Sequence, residues 1–197
     1  MSPKETLREA AKKLLANTNA EEFCSQGNGA AALLRSSPVW SRYRTVFLFL
    51  SMKAEIETLP LVDAALNDGK KVFVPRVQTE GLVFYPIFST DGPWQRGPFG
   101  IREPAIFPKE KSAAPRDFPA LIIAPGLAFD REGNRLGRGK AYYDRFFAKL
   151  DGEDISYTAL GLCMDFQIVP RVPVEETDKK MDGFLTGTEL FKVKSKR

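Results

Sequence analysis

The sequence contains no histidine, and only two of its 197 residues are cysteines. The absence of histidine removes the base of His-based catalytic triads and the usual ligand of zinc hydrolases. Cys24 and Cys163 lie far apart in the chain and form neither a metal-binding spacing nor a disulfide framework. We therefore expect a protein of the reducing cytoplasm.

The sequence also lacks long apolar runs, and it has no excess of positive charge outside its last six residues. No window approaches the roughly 18 apolar residues of a membrane span, and the N-terminal segment lacks the apolar core of a signal peptide. Four of the 29 basic residues lie in the last six positions, which leaves 25 basic residues against 25 acidic ones. We expect neither a membrane nor a nucleic-acid partner, although a basic nucleic-acid-binding module stays open as the alternative of a different class.

The apolar residues predict one α/β domain over residues 1–190, followed by a basic tail over residues 191–197. Helical spacing covers Leu7 to Leu15, and a second helix is expected from about Ala20, with Thr18 or Asn19 as its cap. We expect the glycines of QGNG, residues 26–29, to interrupt or kink this second helix.

Strand-like apolar runs then alternate with helical patterns. Strands are predicted at residues 45–51, 71–75, 82–87, 120–126, 158–163 and 182–187, and helices at residues 58–66 and 142–150. This alternation predicts a single three-layer α/β/α domain of Rossmann-like type with a mainly parallel sheet. The proline-rich run from Pro86 to Pro119 predicts a long surface excursion.

A basic glycine loop, GNRLGRGK at residues 133–140, lies between a predicted strand and a predicted helix. Glycines allow backbone N–H groups to approach a ligand, and a helix start favours anions. Arg135, Arg138 and Lys140 add full positive charges, and arginines bind phosphate oxygens bidentately. The spacing does not match a Walker A loop, and Ala141 occupies the position of the Mg²⁺-binding hydroxyl residue. We predict an anion site outside the P-loop NTPases.

Two acids are candidates for a magnesium site. Asp144 follows Lys140 by four residues on the predicted helix, where an intrahelical ion pair is its simpler role. Magnesium bound to a nucleotide uses one or two protein carboxylates together with phosphates and water, so Asp144 is chemically sufficient. Asp178 is the candidate for the second carboxylate, and nothing in its local sequence separates it from a surface charge.

The segment PGLAFDREGNRLGRGKAYYDRF, residues 125–146, resembles the signature of the 5-formyltetrahydrofolate cyclo-ligase family, also called methenyltetrahydrofolate synthetases. Further similarity lies in KETLR at residues 4–8, FLSMKAEIET at 49–58, FGIREP at 99–104 and VPVEETDKKMD at 172–182. The resemblance implies an α/β Rossmann-like fold. It also implies conversion of 5-formyltetrahydrofolate to 5,10-methenyltetrahydrofolate with ATP and Mg²⁺ through an iminium phosphate, which releases ADP and phosphate.

The resemblance also implies the residues of the site. It gives Arg138 and Lys140 as catalytic residues and Asp144 and Asp178 as magnesium ligands. The implied ATP contacts are Lys4, Arg8, Arg135, Leu136, Gly137, Arg138, Gly139, Lys140, Ala141, Tyr142 and Tyr143. The implied folate contacts are Leu50, Glu55, Arg138, Gly139, Lys140, Ala141 and Tyr142. The partner is a small molecule, and we expect a monomer.

Two positions depart from the family pattern. Ala141 replaces a glycine that usually follows the lysine, and an alanine would be crowded there only if the position needs a positive φ. Thr177 stands where many bacterial members have histidine before the aspartate, so that histidine cannot be an essential acid or base here. Another anion-binding enzyme of the same broad fold, such as a sugar-phosphate isomerase or CoA-transferase relative, stays the alternative.

Overall fold

The computed structural model describes residues 1–79, 81–97, 100, 102–105 and 112–193. Within these residues the helices are α1 (Pro3–Asn17), α2 (Ala20–Arg35), α3 (Pro38–Arg42), α4 (Leu59–Asn67) and α5 (Tyr142–Gly152). The strands are β1 (Thr45–Phe47), β2 (Lys71–Gln78), β3 (Gly81–Ile87), β4 (Trp94–Arg96), β5 (Arg102–Pro104), β6 (Ala120–Pro125), β7 (Ala128–Phe129), β8 (Arg135–Leu136), β9 (Tyr157–Leu162), β10 (Gly183–Leu185) and β11 (Leu190–Lys192).

Seven of these strands form the central sheet, in the order β11-β10-β9-β6-β1-β2-β3. The five inner strands are parallel, and the two edge strands pair antiparallel to their neighbours. The chain starts in the middle at β1, moves outward to β2 and β3, and then returns to β6 on the other side of β1. The sheet therefore has a topological switch point between β1 and β6, which is where open α/β sheets bind ligands.

Helices cover both faces of the sheet. Along β1 the side chains alternate, so Val46 packs with the apolar residues of α1 to α4, whereas Phe47 packs with those of α5. Phe47 is fully buried and stacks on Phe73 with ring centroids 5.1 Å apart. The predicted three-layer α/β/α fold with a mainly parallel sheet is confirmed.

Helix α2 is continuous through its glycines, so the predicted interruption at QGNG is wrong. A Cβ at Gly27 would clash with the carbonyl oxygen of Glu57, and one at Gly29 would clash with the carbonyl oxygen of Gly187. The glycines therefore allow close packing against two distant backbone segments rather than a bend. The helix begins after Asn19, whose side chain accepts a hydrogen bond from the backbone N–H of Glu22 at 2.8 Å.

The first strand is shorter than predicted, because β1 ends at Phe47 instead of Ser51. The backbone N–H of Leu48 still donates to the carbonyl of Phe73 at 2.9 Å, after which the chain leaves the sheet. Strand β2 continues to Gln78 and so extends beyond the end of β1. This difference in length leaves space beside β2 at the carboxyl edge of the sheet.

The proline-rich excursion contains an antiparallel hairpin of β4 and β5 in its described part. At the other end of the chain, the tail predicted from residue 191 begins within β11. Phe191 of that strand stacks on Phe184 of β10 with centroids 4.9 Å apart, whereas residues 194–197 lie outside the described residues. No helix in the described part of the chain is long and apolar enough to cross a membrane.

Candidate active site

A cavity of about 640 Å³ opens at the carboxyl ends of β1 and β6, at the switch point of the sheet. Its walls come from α1, the segment after β1, strands β2 and β5, the basic loop with the start of α5, and the segment before β10. The lining includes Lys4, Arg8, Phe49, Leu50, Met52, Glu55, Pro75, Val77, Leu82, Arg102, Glu103, Arg135 to Arg145, Glu175, Thr177 and Asp178.

The basic loop is fixed at its base by the buried carboxylate of Asp130. Its Oδ1 accepts hydrogen bonds from the backbone N–H groups of Glu132 and Asn134, both at 3.0 Å. Its Oδ2 accepts from Asn134 Nδ2 and from the backbone N–H of Val172, both at 2.9 Å. Asp130 thereby joins the loop to the segment that leads to Asp178. Asp130 had no predicted role, although Asp-x-x-Gly is a turn signal in the sequence.

Arg135 is buried and connects the end of β6 to the start of α5. Its Nη2 donates to Asp144 Oδ1 at 2.8 Å, and its Nη1 donates to the carbonyl oxygen of Pro125 at 3.2 Å. Only 4% of the Arg135 side chain is exposed. These internal contacts give Arg135 a positioning role in this state, because they set where Asp144 lies.

Helix α1 contacts the basic loop and the segment before β10 through two cations. Arg8 Nε donates to the carbonyl oxygen of Gly137 at 3.0 Å, and Lys4 Nζ donates to Asp178 Oδ2 at 2.6 Å. Lys4 Nζ also lies 3.3 Å from Glu175 Oε2. The N-terminal helix therefore brings Lys4 and Arg8 to the wall of the cavity, and their contact with ATP stays a prediction.

An ion pair between Arg138 and Glu55 crosses the cavity. Arg138 Nη2 and Nε donate to Glu55 Oε1 at 2.9 and 3.2 Å, and Glu55 Oε2 accepts from the backbone N–H of Met52 at 3.0 Å. The Arg138 side chain is 40% exposed, so water screens the pair.

Lys140 and Ala141 occupy the turn into α5. Lys140 is exposed, and its amine has no hydrogen bond or ion pair with the described residues, so its charge is available to an anion. Ala141 has φ 51° and ψ 24°, a left-handed conformation. The position where the family usually has glycine therefore does require a positive φ, and alanine is strained there.

Tyr143 lies beneath the loop with its ring in the aromatic cluster of Phe84 and Phe147. Burial raises the pKa of its phenol, which stays neutral, and the Arg135 guanidinium carbon lies 5.6 Å from the ring centroid. The Tyr143 hydroxyl is enclosed and has no hydrogen-bond partner among the described residues. Only other atoms of Tyr143 can therefore reach a ligand in this state.

Each of the two predicted magnesium ligands has one carboxylate oxygen that accepts no hydrogen bond from the described residues. Asp144 receives its hydrogen bonds at Oδ1, from Arg135 and from the backbone N–H of Lys179 at 3.4 Å. Asp178 receives its hydrogen bonds at Oδ2, from Lys4 and from the backbone N–H of Glu175 at 2.7 Å. The described residues contain no group of three or more acids, cysteines or histidines arranged so that it could hold a metal ion on its own. Such a set fits a cation that takes its other ligands from phosphates and water, as Mg²⁺ does.

All the site residues named from the sequence line this single cavity. The structure thus brings them together, whereas their separate roles stay predictions. Several lining residues had no predicted role, among them two charged neighbours: Arg102, which is exposed, and Glu103, which is 2% exposed. Both residues lie in the FGIREP segment, whose similarity to the family pointed to this part of the chain but indicated no role for either residue.

An open, mainly parallel α/β sheet with a basic glycine loop at its switch point defines a doubly wound α/β protein. The model of the 5-formyltetrahydrofolate cyclo-ligase family matches residues 1–187. The chain therefore belongs to the 5-formyltetrahydrofolate cyclo-ligase family, and the resemblance stated from the sequence is confirmed.

Individual relatives agree with the family assignment. The chain is 30% identical over 189 residues to the 5-formyltetrahydrofolate cyclo-ligase of Mus musculus, with 93% of each chain covered. It is 32% identical over 191 residues to a probable 5-formyltetrahydrofolate cyclo-ligase of Caenorhabditis elegans, with 91% of this chain and 90% of that one covered. The solved structure of Aquifex aeolicus 5,10-methenyltetrahydrofolate synthetase superimposes with a TM-score of 0.82 at 28% identity, covering 100% of this chain and 95% of that one.

Proposed function

We propose that the protein converts 5-formyltetrahydrofolate to 5,10-methenyltetrahydrofolate, with ATP as co-substrate and Mg²⁺ as its metal. The observation that carries this proposal is the convergence on one cavity of every residue implied for ATP, folate and magnesium. These residues come from segments as distant in the chain as Lys4 and Asp178, which are in direct contact. We also propose that the protein acts in the cytoplasm as a monomer.

The proposed reaction proceeds in two steps. In the first, the formyl oxygen attacks the γ-phosphorus of ATP, ADP leaves, and an iminium phosphate forms. In the second, N10 of the folate attacks the former formyl carbon, the carbon–oxygen bond breaks, phosphate leaves, and the N10 proton passes to solvent. Both steps depend on alignment and on neutralising oxygen charge, so no nucleophilic side chain is needed. This requirement suits a chain without histidine.

Cations of the basic loop neutralise charge in this proposal. The Lys140 amine has no hydrogen bond or ion pair with the described residues and binds phosphate oxygens as a point charge. Arg138 exchanges its contact with Glu55 for the transferring phosphoryl group, where its planar guanidinium forms bidentate hydrogen bonds. Arg8 and Lys4 hold the loops from the α1 side, and the start of α5 adds a positive dipole end.

Asp144 and Asp178 would hold Mg²⁺ through the carboxylate oxygens that accept no hydrogen bond from the described residues. When bound, Mg²⁺ neutralises negative charge on the β- and γ-phosphates and orients them. The chain's own part is positional. Arg135 and Lys4 keep the two carboxylates in place, and Asp130 links the two segments that carry them.

Glu55 is proposed as a folate contact, together with Leu50 and residues 138–142. When Arg138 binds the transferring phosphoryl group instead of Glu55, the Glu55 carboxylate can accept hydrogen bonds from N–H groups of the substrate. The Glu55 side chain is 12% exposed, so such bonds form away from bulk water and gain strength.

A spectrophotometric assay for methenyltetrahydrofolate tests the proposal. The purified protein should form product from 5-formyltetrahydrofolate only when ATP and Mg²⁺ are both present, and a chelator should stop it. Product without nucleotide would contradict the proposal, and so would no product under any condition.

Magnesium binding is tested separately from turnover. Asp144→Asn should raise the Mg²⁺ concentration needed for half-maximal ATP binding, measured by calorimetry without folate. Asp117→Asn is the matched control, because Asp117 is a buried acid paired with Lys71 at 3.3 Å and does not line the cavity. Equal effects of the two substitutions would argue against the metal role.

A further inference from the structure

Glu103 is a nearly inaccessible acid in the wall of the cavity. It lies on β5 of the hairpin that packs beside β2, and only 2% of the residue is exposed. Gly97 makes room for it, since a Cβ at Gly97 would clash with the Glu103 carboxyl group. Buried acids are rare unless they are paired, so the partners of Glu103 decide its role.

Its partners leave part of the carboxylate unused. Oε1 accepts a hydrogen bond from the backbone N–H of Val77 at 3.0 Å, at the part of β2 that extends past the end of β1. Oε2 lies 3.5 Å from Arg76 Nε, which is too long for a hydrogen bond, and Arg76 Nε has no other hydrogen-bond partner among the described residues. No described residue donates a hydrogen bond to Oε2, although a carboxylate accepts about four.

The surroundings of Glu103 suit a flat ring with hydrogen-bond donors at one edge. Pro75, Val77 and Leu82 form an apolar wall beside it, and Arg76 supplies a compensating charge from behind. A carboxylate oxygen only accepts hydrogen bonds, so the glutamyl carboxylates of a folate find no hydrogen-bond partner at Oε2. A pterin has a ring N–H and a 2-amino group on one edge, and these donors match a carboxylate oxygen to which no described residue donates.

We propose that Glu103 is a specificity-determining residue that accepts hydrogen bonds from the 2-amino and ring N–H edge of the substrate's pterin. This inference rests on the proposed function and names a second acid besides Glu55 for substrate recognition. Glutamine at position 103 cannot replace the acid. If its amide oxygen accepts from the Val77 N–H, its NH2 group faces the donors of the pterin, and if its oxygen faces the pterin, its NH2 group faces the Val77 N–H.

The first test needs only the wild-type protein and two substrates. The KM for 5-formyltetrahydrofolate is compared with the KM for its 2-desamino analogue, which lacks the amino donor. The inference expects the analogue to have a KM about ten- to a hundred-fold higher, because a buried carboxylate then loses a partner. Equal KM values would overturn the inference while leaving the proposed function intact. Failure of the wild type to use 5-formyltetrahydrofolate at all would overturn both.

The second test uses Glu103→Gln, with Asp117→Asn as the control for loss of a buried acid outside the cavity. Glu103→Gln should raise the KM for 5-formyltetrahydrofolate about ten- to a hundred-fold and lower the discrimination between the two substrates, with the KM for ATP within about twofold. Similar KM changes in both variants, or equal KM changes for folate and ATP, would mean a general structural effect and overturn the inference.

A double variant separates recognition from neutralisation of Arg76. If Glu103 only neutralises Arg76, then removing both charges in Glu103→Gln/Arg76→Met should restore the KM for folate. The inference expects the double variant to keep the raised KM, because the acceptor for the pterin is still missing. The melting temperature of each variant shows whether it is folded. If no variant folds, the comparison of the two substrates with the wild-type protein still tests the inference.

Discussion

Replacing Ala141 by glycine should stabilise the protein, contrary to the usual effect of glycine. Ala141 has φ 51° at the start of α5, where an L-residue with a Cβ is strained by about 1–2 kcal/mol. Glycine removes this strain but makes the unfolded chain more flexible, which costs about 0.4–1 kcal/mol. The net gain spans about 0–1.6 kcal/mol, and its midpoint of about 0.8 kcal/mol corresponds to about 2–3 °C in Tm for a chain of this length.

The matched control is the same substitution in an ordinary helical conformation. Ala64 lies in the middle of α4, where glycine costs about 1 kcal/mol, so Ala64→Gly should lower Tm by about 2–4 °C. Calorimetry of both variants and the wild type under one buffer condition gives the comparison. A decrease of Tm in Ala141→Gly as large as that in Ala64→Gly would refute the assignment of strain to position 141.

Three further predictions concern the loop cation, the thiols and the C-terminus. Arg138→Lys should lower turnover about thirty- to a thousand-fold, or about 2–4 kcal/mol, with Tm almost unchanged, and a loss below about threefold would exclude a role in phosphoryl transfer. In the native protein a thiol reagent should modify only the exposed Cys24, because burial makes Cys163 inaccessible and raises the pKa of its thiol. In denaturant the reagent should modify both cysteines. Rapid reaction of both thiols in the native protein would contradict the burial of Cys163. Deleting residues 194–197 should leave Tm and turnover unchanged. Deleting residues 191–197 should lower Tm by about 5 °C or more, because most of β11 is lost. Equal Tm values for the two truncated proteins would contradict a stabilising role of β11.

The sheet and the basic loop could be predicted from the sequence because their signals are local. Apolar runs of strand length, such as residues 120–126, match the strands closely. The glycines and cations of residues 133–140 are neighbours in the chain, so their chemistry can be judged without the fold. The position of this loop at the edge of the sheet followed from the strand before it and the helix after it.

Other features depend on contacts between distant segments and could not be read from the sequence. The glycines of α2 resemble a helix break until their contacts with Glu57 and Gly187 are known. The positive φ at Ala141 depends on the turn geometry between β8 and α5. Glu103 gains its importance only when the hairpin of β4 and β5 places it in the cavity wall beside β2.

The central claim is that ATP activates the formyl oxygen by phosphorylation, and an isotope experiment tests it most directly. 5-Formyltetrahydrofolate labelled with ¹⁸O in the formyl group is converted with unlabelled ATP and Mg²⁺, and the phosphate released is analysed by mass spectrometry. The account predicts one ¹⁸O atom in each phosphate, because the formyl oxygen becomes the bridging oxygen of the iminium phosphate. Unlabelled phosphate together with formation of methenyltetrahydrofolate would contradict it.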